Sequence, residues 1–324
     1  MLADYYIAVR QSDKLTRPLY SKRDTLTSRI PHFWSLVFEN APPEVDQYIA
    51  PTDSEIFAEC LTKLEVSRFE VDNSPRSFLV RMTFDTDKNK FFDDEVLEKK
   101  FWFRRSADGW SGLVSEPVGI RWKKGKDITN GLITKAVKLF AAQRAASTEA
   151  TSSTNGKSKT PSAKPKEYDD LLKALETSTE GELSFFTWFG FISSHRYVSA
   201  EENAAAIQKQ KEDRAKRAAG EDVPEEEEED EFDPDVADDN LEIFPNGDEL
   251  ATLIAEDLWP QALKYFISVQ EMDDEDMEEV DEEDEDEEES DGEGEVDIRA
   301  LVQGKGKKGG KEGTGSPPAK KRKA

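Results

Sequence analysis

The chain has almost no cysteine or histidine and no long hydrophobic run. Its 324 residues include one cysteine, Cys60, and two histidines, His32 and His195. A single cysteine cannot form a disulfide within the chain, and this set cannot supply a Cys/His zinc site. The apolar runs fall well short of the ~20 residues that a bilayer span requires, and no secretory signal pattern is present. These absences predict a soluble, unsecreted protein of a reducing compartment, the cytosol or the nucleus.

Motifs for phosphate binding, calcium binding and nucleophilic catalysis are also lacking. The stretch GKGKKGGKEGTG does not have the glycine and lysine spacing of a phosphate-binding loop, and EEESDGEG lacks the ligand spacing of a calcium loop. The two histidines lie far apart in sequence and offer no catalytic triad. We therefore predict no catalytic residues, no metal site and no cofactor, and hence a protein that is not an enzyme.

Charge is abundant but unevenly distributed. Hydrophobic residues make up 36% of the chain and charged residues 35%, with a formal net charge of -27. Residues 1–146 carry about +2, whereas residues 221–324 carry about -29, concentrated in the blocks 221–239 and 271–297. Runs of like charge repel themselves and are typical of solvated interaction tails. The sequence therefore predicts a disordered acidic tail over 271–324.

The periodicity of the first half indicates helices followed by strands. Residues 1–30 have a helical pattern that Pro18 is expected to kink or split, and Thr52 with Glu55 is typical of a capping box that begins a helix over 53–62. The stretch SFLVRMTFD alternates apolar and polar side chains, as a strand with one buried face does. Other strand-like segments are TKLEVSRFEVD, EKKFWFRR and GIRW. The pattern predicts an α+β fold with an antiparallel sheet over 62–123 and helices on one face.

The second half alternates between ordered and charged segments. Residues 147–165 are rich in Ser, Thr, Lys and Pro and are predicted to be a flexible connection. A helix that begins at Ser199 has almost no apolar face, so we expect it to project into solvent. The predicted divisions are an N-terminal helix over 1–30, a domain over 31–270 and the tail over 271–324. The domain contains the flexible connection and a charged insert over 193–246.

Four stretches occur together in one known family and in the same order. They are LTRPLYSKRDTLTSRIPHFW, IRWKKGKDIT, SFFTWF and DELATLIAEDLWPQALKYF, the last followed directly by an acidic tail. In these stretches the chain resembles the nucleosome assembly protein family, and within it the SET branch, also called template-activating factor I.

This resemblance implies a histone chaperone that binds core histones, takes part in nucleosome assembly and disassembly, and has no enzymatic activity. It also implies a homodimer joined by long antiparallel helices, with an "earmuff" α+β domain in each subunit. The segment before Pro18 is shorter than the family's dimerisation helix, which leaves dimer formation open. Two other functions associated with relatives of this branch remain alternatives, inhibition of a Ser/Thr phosphatase and service as an adaptor for a histone acetyltransferase.

Acidic residues are the candidate histone contacts. An extended chain advances ~3.3 to 3.6 Å per residue, close to the ~3.4 Å between phosphates on one DNA strand. An Asp/Glu run therefore presents basic histones with a charge spacing like that of one strand. The candidates are Asp93, Asp94 and Glu95 in the domain, and Asp273, Asp274, Glu275, Asp276, Glu278, Glu279, Asp281, Glu282, Glu283 and Asp284 in the tail. A solvated surface cluster at 93–95 and a purely solubilising tail are the alternatives.

A basic cluster lies at the end of the chain. Lys320, Lys321, Arg322 and Lys323 follow two prolines and are similar to a nuclear import signal, which implies importin as a partner. The expected location is the nucleus, with shuttling to the cytoplasm. An ionic contact between this cluster and the acidic tail is the competing interpretation.

The stretch LSFFTWFGFI, residues 183–192, is the most hydrophobic part of the second half. Its aromatic box consists of Phe185, Phe186, Trp188 and Phe189. Aromatic residues in such a cluster are expected to be core residues, with a partner-binding patch as the alternative. We predict that burial of this box returns the chain to the domain and sets where the acidic segments emerge.

Overall fold

A computed structural model describes residues 2–152, 165–178, 183–219 and 241–268. Two candidate sites, the acidic tail and the terminal basic cluster, lie outside these residues. In the first half of the chain the elements are α1 (Leu2–Thr27), α2 (Phe33–Glu39), α3 (Pro43–Asp46), α4 (Pro51–Cys60), β1 (Leu61–Ser67), β2 (Phe78–Phe84), β3 (Val96–Arg105) and β4 (Ser111–Ser115). The second half contains α5 (Leu132–Ser152), α6 (Lys166–Thr177), a 3-10 helix (Phe185–Gly190), α7 (Ala200–Ala218), α8 (Gly247–Leu253), a π-helical segment (Ile254–Leu258) and α9, residues 262–268.

Four antiparallel strands form the sheet in the order β1-β2-β3-β4. The predicted buried face of β2 is correct, because Phe78, Val80, Met82 and Phe84 are all buried. The opposite face is polar, and the Arg81 guanidinium donates two hydrogen bonds to Glu98 on β3, at 3.0 and 2.6 Å. Helices pack on the apolar face, so the α+β prediction is confirmed.

Helix α1 continues through Pro18, so the predicted split is absent, and a kink at Pro18 stays a prediction. Near its end the helix docks on the domain through Arg23, whose exposed fraction is 8%. The guanidinium lies 4.6 Å from the ring centroid of Trp259 and 4.8 Å from that of Tyr20, and it donates to the Trp259 carbonyl. These contacts connect the first helix to the segment that precedes α9.

Two local predictions in the first half were wrong. Helix α4 has no capping box at Thr52 and Glu55; its start is held by the backbone N–H of Ala50, which donates to the Asp53 carboxylate at 2.9 Å. The GIRW segment forms only an isolated bridge between Trp122 and Phe92, and the fourth strand is β4, in the sequence SGLVS. The strand error arises because strand pairing is fixed by tertiary packing, which a local pattern does not contain.

Helix α7 has the projecting geometry that its polar sequence predicted. The Ser199 hydroxyl accepts from the Glu202 backbone N–H at 3.1 Å, and Asn203 accepts from the Arg105 backbone N–H at 2.9 Å. Ala206 is its one buried residue, and the side chains beyond it are almost all exposed. The helix is therefore held to the end of β3 by its first two turns.

Helix α5 ends at Ser152, and residues 153–164 lie outside the described part of the chain. The predicted flexible connection over 147–165 therefore stays a prediction. Among the described helices, none is long and apolar enough to cross a membrane.

Candidate functional site

The structure places all four residues of the aromatic box in the core. Phe185, Phe186 and Trp188 have exposed fractions of 0% and Phe189 of 1%. The 3-10 helix that carries them begins at Ser184, whose hydroxyl accepts from the Phe186 N–H at 3.1 Å. No side chain of the box is available to a partner on the surface.

The box connects the sheet to the C-terminal helices. Trp188 stacks on Phe101 of β3 with ring centroids 5.3 Å apart, and its Nε1 donates to the Gly247 carbonyl at 2.8 Å. Gly247 begins α8, and a Cβ at this position would lie 2.4 Å from the Phe191 ring. Only glycine fits this approach, so the start of α8 is held by Phe191 together with the Trp188 hydrogen bond.

A buried carboxylate, Asp53, holds the start of the 3-10 helix. It accepts hydrogen bonds from the Ser184 hydroxyl at 2.5 Å, the Phe185 N–H at 2.6 Å and the Ala50 N–H at 2.9 Å. Burial raises the pKa of Asp53 to about 6, although the three donors favour the charged form. The side chain joins α4 to a segment more than 130 positions away.

The Asp53 carboxyl makes stability depend on pH in a defined direction. Because its folded pKa lies above the unfolded value, the folded state binds more protons between about pH 4 and pH 6. The free energy of unfolding should therefore fall by about 3 kcal/mol as pH rises through this window. Urea unfolding of the wild type and of Asp53→Asn at several pH values measures the effect. If the free energy of unfolding changed equally with pH in the wild type and in the Asp53→Asn variant, the prediction would be wrong.

A buried lysine fixes the other end of the aromatic segment. The Lys99 side chain on β3 is fully buried, and its Nζ donates to the carbonyl oxygens of Phe191 at 2.8 Å, Phe189 at 3.0 Å and Glu116 at 3.1 Å. Burial lowers its pKa well below the ordinary lysine value. All three hydrogen bonds of the Lys99 ammonium are made within the core. Lys99 therefore connects β3 to the segment of the aromatic box.

The candidate acidic residues at 93–95 lie in the loop before β3, and two of them are paired with basic side chains. Asp94 accepts from the Arg121 backbone N–H at 2.7 Å and from its guanidinium at 2.8 Å. Asp93 lies 3.7 Å from the Lys123 ammonium. Of the three candidates, only Glu95 is exposed without an ion pair among the described residues. The histone contact at 93–95 therefore stays a prediction.

A different acidic surface is present between the sheet and α8. We call it the acidic groove, a shallow depression of about 620 Å³. Its carboxylates are Glu44, Asp248, Glu249 and Glu256, and its apolar floor contains Tyr48, Phe78, Phe103, Leu113 and Leu253. Arg76 is the one basic side chain that lines it. Local sequence patterns missed this site because its acids come from α3, α8 and the π-helical segment.

Two of the four carboxylates of the groove are open to a partner. In the described part of the chain, no basic side chain lies within 4 Å of the Glu44 or Glu249 carboxylates, and both residues are exposed. Glu256 is paired with Arg68 at 3.4 Å, and Asp248 accepts from the Ser194 hydroxyl at 3.1 Å. An apolar floor rimmed by carboxylates suits lysine and arginine, whose alkyl stems pack on apolar surface while the charged ends meet acids.

The described residues contain no group of three or more His, Cys, Asp or Glu side chains that could hold a metal ion.

Comparisons with known proteins show the family of the chain. The family model described as "Nucleosome assembly protein (NAP)" matches residues 10–269. "Protein SET" of Drosophila melanogaster is 35% identical over 127 residues, which cover 38% of this chain and 44% of that protein. "NAP1-related protein 2" of Arabidopsis thaliana is 30% identical over 131 residues, which cover 40% and 48%. The matched part thus spans less than half of each of these relatives.

Among solved structures, "Crystal Structure of the Vps75 Histone Chaperone" has a TM-score of 0.49 and 18% sequence identity, covering 83% of this chain and 92% of that one. "Crystal structure of Ccp1" has a TM-score of 0.48 and 21% identity, covering 83% and 89%. The family assignment depends on the family model, which covers most of the chain.

Proposed function

Because the chain belongs to the nucleosome assembly protein (NAP) family, we propose that it is a histone chaperone that carries core histones and takes part in nucleosome assembly and disassembly. The observation that carries the proposal is the acidic groove, where exposed carboxylates rim an apolar floor. The proposal assigns no catalytic step to the chain. Its place of action is the nucleus.

The groove and the acidic tail have different tasks in this proposal. The tail, with about 20 net negative charges over 271–297, attracts histones through exposed charge that salt screens over ~8 Å at physiological ionic strength. An extended Asp/Glu run has roughly half the linear charge density of duplex DNA. Histones therefore move from the tail to DNA rather than the reverse. The groove adds shape, and with it affinity that an acidic polymer lacks.

The direct test is assembly on a plasmid. Relaxed circular DNA, core histones, a topoisomerase and the full chain are incubated at physiological salt, and the superhelical turns retained after deproteinisation are counted. We expect turns to accumulate with added protein, because a carrier prevents histones from aggregating on DNA. Precipitation of histone and DNA at every protein ratio would contradict the proposal.

We also propose that the chain dimerises through α1. Three leucines on this helix are strongly exposed, Leu15 at 74%, Leu19 at 61% and Leu26 at 62%. Leucines at such spacing form one apolar stripe along a helix. A second copy of the chain that packs antiparallel against this stripe would bury the three leucine side chains.

The double substitution Leu15→Glu and Leu19→Glu should convert the dimer to a monomer, because it places four carboxylates in the contact between two copies. Light scattering measures the mass, and circular dichroism checks that the fold is retained. Substitution of the exposed Leu263 in α9 by Glu is the control, for which we expect an unchanged dimer. A wild-type chain that scatters as a monomer would contradict the proposal.

The other predicted partners are importin, a histone acetyltransferase and a Ser/Thr phosphatase. The importin prediction depends on Lys320 to Lys323, which lie outside the described residues, and it is tested by the nuclear accumulation of a chain in which these four are replaced by alanine. No contact in the described part of the chain favours the phosphatase or the acetyltransferase over histones.

A further inference from the structure

One stretch of the folded domain has the opposite charge to the rest of the protein. Residues 121–146 contain seven basic side chains and a single acidic one, Asp127. The Asp127 carboxylate is already used, since it accepts from the Thr129 N–H at 2.9 Å and from the Thr129 hydroxyl at 2.6 Å. This stretch therefore has an excess of positive charge on a chain whose total is -27.

Only part of this positive charge is neutralised within the domain. Arg121 and Lys123 pair with the loop at 93–94, and Arg144 pairs with Glu116 at 3.1 Å. Four lysines have no carboxylate within 4 Å in the described part of the chain. We call these four the basic ridge: Lys124, Lys126, Lys135 and Lys138.

The ridge lysines lie close together along the chain. Lys124 and Lys126 flank Gly125 in the connection between β4 and α5, and Lys135 and Lys138 lie on one face of the first turns of α5, three residues apart. The Lys135 ammonium lies beside the turn directly before α5, 3.6 Å from where a Cβ on Gly131 would be. Four like charges in one area repel each other unless an anion lies between them.

We propose that the acidic tail of the same chain, residues 271–297, docks on the basic ridge. The tail begins three residues after α9 and has about 20 net negative charges in 27 residues. Fully extended, it spans up to roughly 90 Å, whereas a domain of this size is roughly 45 Å across. It therefore reaches the ridge from any point on the domain.

Charge and tethering favour the tail over a nucleic acid as the occupant. A tethered segment has a local concentration of the order of millimolar, so even a weak contact is populated. A DNA duplex has no tether, and its phosphates are repelled by the roughly -29 of residues 221–324. The tail is thus held against the domain when no histone is present.

Resting on the proposed function, this contact regulates the tail. A histone must displace the ridge to reach the tail carboxylates. The ridge therefore competes with the histone for the tail. Cationic proteins that contact only the tail therefore bind less tightly than they would bind a tail that is free of the ridge. A partner that also binds the groove gains enough affinity to displace the ridge completely.

The contact itself is tested without histones, by carbodiimide coupling in the full-length chain at ~50 mM salt, where screening is weak. This reagent joins a lysine directly to a carboxylate. We expect the ridge lysines to couple to 271–297 several times more often than four exposed lysines on other elements, Lys14, Lys100, Lys211 and Lys264. The preference should vanish at ~500 mM salt. Equal coupling of both sets would overturn the proposal.

A mixture of isotopically labelled and unlabelled chains shows which chain supplies the tail. We expect the coupled peptides to carry one label, and peptides that carry both labels in statistical amounts would overturn docking within the chain. Addition of a short DNA duplex should leave the coupling unchanged. Loss of coupling together with binding of the duplex to the ridge would assign the ridge to nucleic acid instead.

The regulatory consequence is tested with two charge-matched variants. Replacement of the four ridge lysines by glutamine should tighten histone binding by about threefold to tenfold, because the internal competitor is removed. Replacement of the four control lysines by glutamine should change the affinity much less. Equal effects would show that net charge alone is responsible and would overturn the competition. Failure of the histone proposal would leave the coupling result intact, so the two claims are separable.

Discussion

Replacement of Phe186 by alanine will lower the free energy of unfolding by about 3 to 5 kcal/mol. Phe186 is fully buried and lies at the meeting point of the sheet, α4 and the loop before β3. Its ring centroid is 5.4 Å from that of Phe92 and 5.9 Å from that of Phe57. Truncation leaves a cavity that rigid aromatic neighbours cannot fill, so the cost includes both lost burial and lost contacts.

The measurement is urea or thermal unfolding followed by tryptophan fluorescence. Phe69→Ala is the matched control, because Phe69 is 38% exposed in the connection between β1 and β2, and its truncation should cost much less. If the Phe186→Ala protein unfolded like the wild type but no longer bound histones, Phe186 would not be a core residue. That result would instead make the aromatic box a contact surface.

Neutralising the acidic groove will weaken histone binding by about tenfold or more. The change is Glu44→Gln, Glu249→Gln and Glu256→Gln, which removes three exposed charges and leaves the side-chain size unchanged. Each exposed charge pair contributes up to about 1 kcal/mol, and three such pairs on one surface give a loss of the stated size. Because none of the three side chains is in the core, stability should change little.

The control for this effect removes the same charge elsewhere. Asp87→Asn, Asp170→Asn and Glu176→Gln alter exposed acids outside the groove, on the connection after β2 and on α6. Fluorescence anisotropy of labelled histone pairs at physiological salt measures both variants. An equal loss of affinity in the control would mean that net charge, not the groove, decides binding.

Much of the fold is visible in the sequence because it depends on local periodicity. The alternation of Phe78, Val80, Met82 and Phe84 requires one buried strand face, and the structure has it. The capping serine of α7 and the polar surface of that helix are likewise local features. The aromatic box is recognisable for a similar reason, since four large aromatic side chains in five residues cannot remain solvated at low cost.

The acidic site could not be predicted in this way. Glu44 and Glu249 are separated by about 200 residues, and neither lies in an acidic run. Asp93 and Asp94, which do lie in one, form ion pairs with Lys123 and Arg121, which lie directly after the segment GIRW and within it, respectively. A run of acidic residues in the sequence shows only where acidic side chains are concentrated. Whether these side chains are free to bind a partner depends on which basic side chains the fold places beside them.

The most direct test of the chaperone account compares the full chain with a free polyglutamate of equal net charge. Binding of the tetramer-forming and the dimer-forming core-histone pairs is measured for both at several salt concentrations. We expect submicromolar affinity of the full chain for at least one pair at physiological salt, well above that of the polymer, because the groove adds contacts that salt screens less than the tail. Binding of both histone pairs no tighter than that of the polymer would contradict the account.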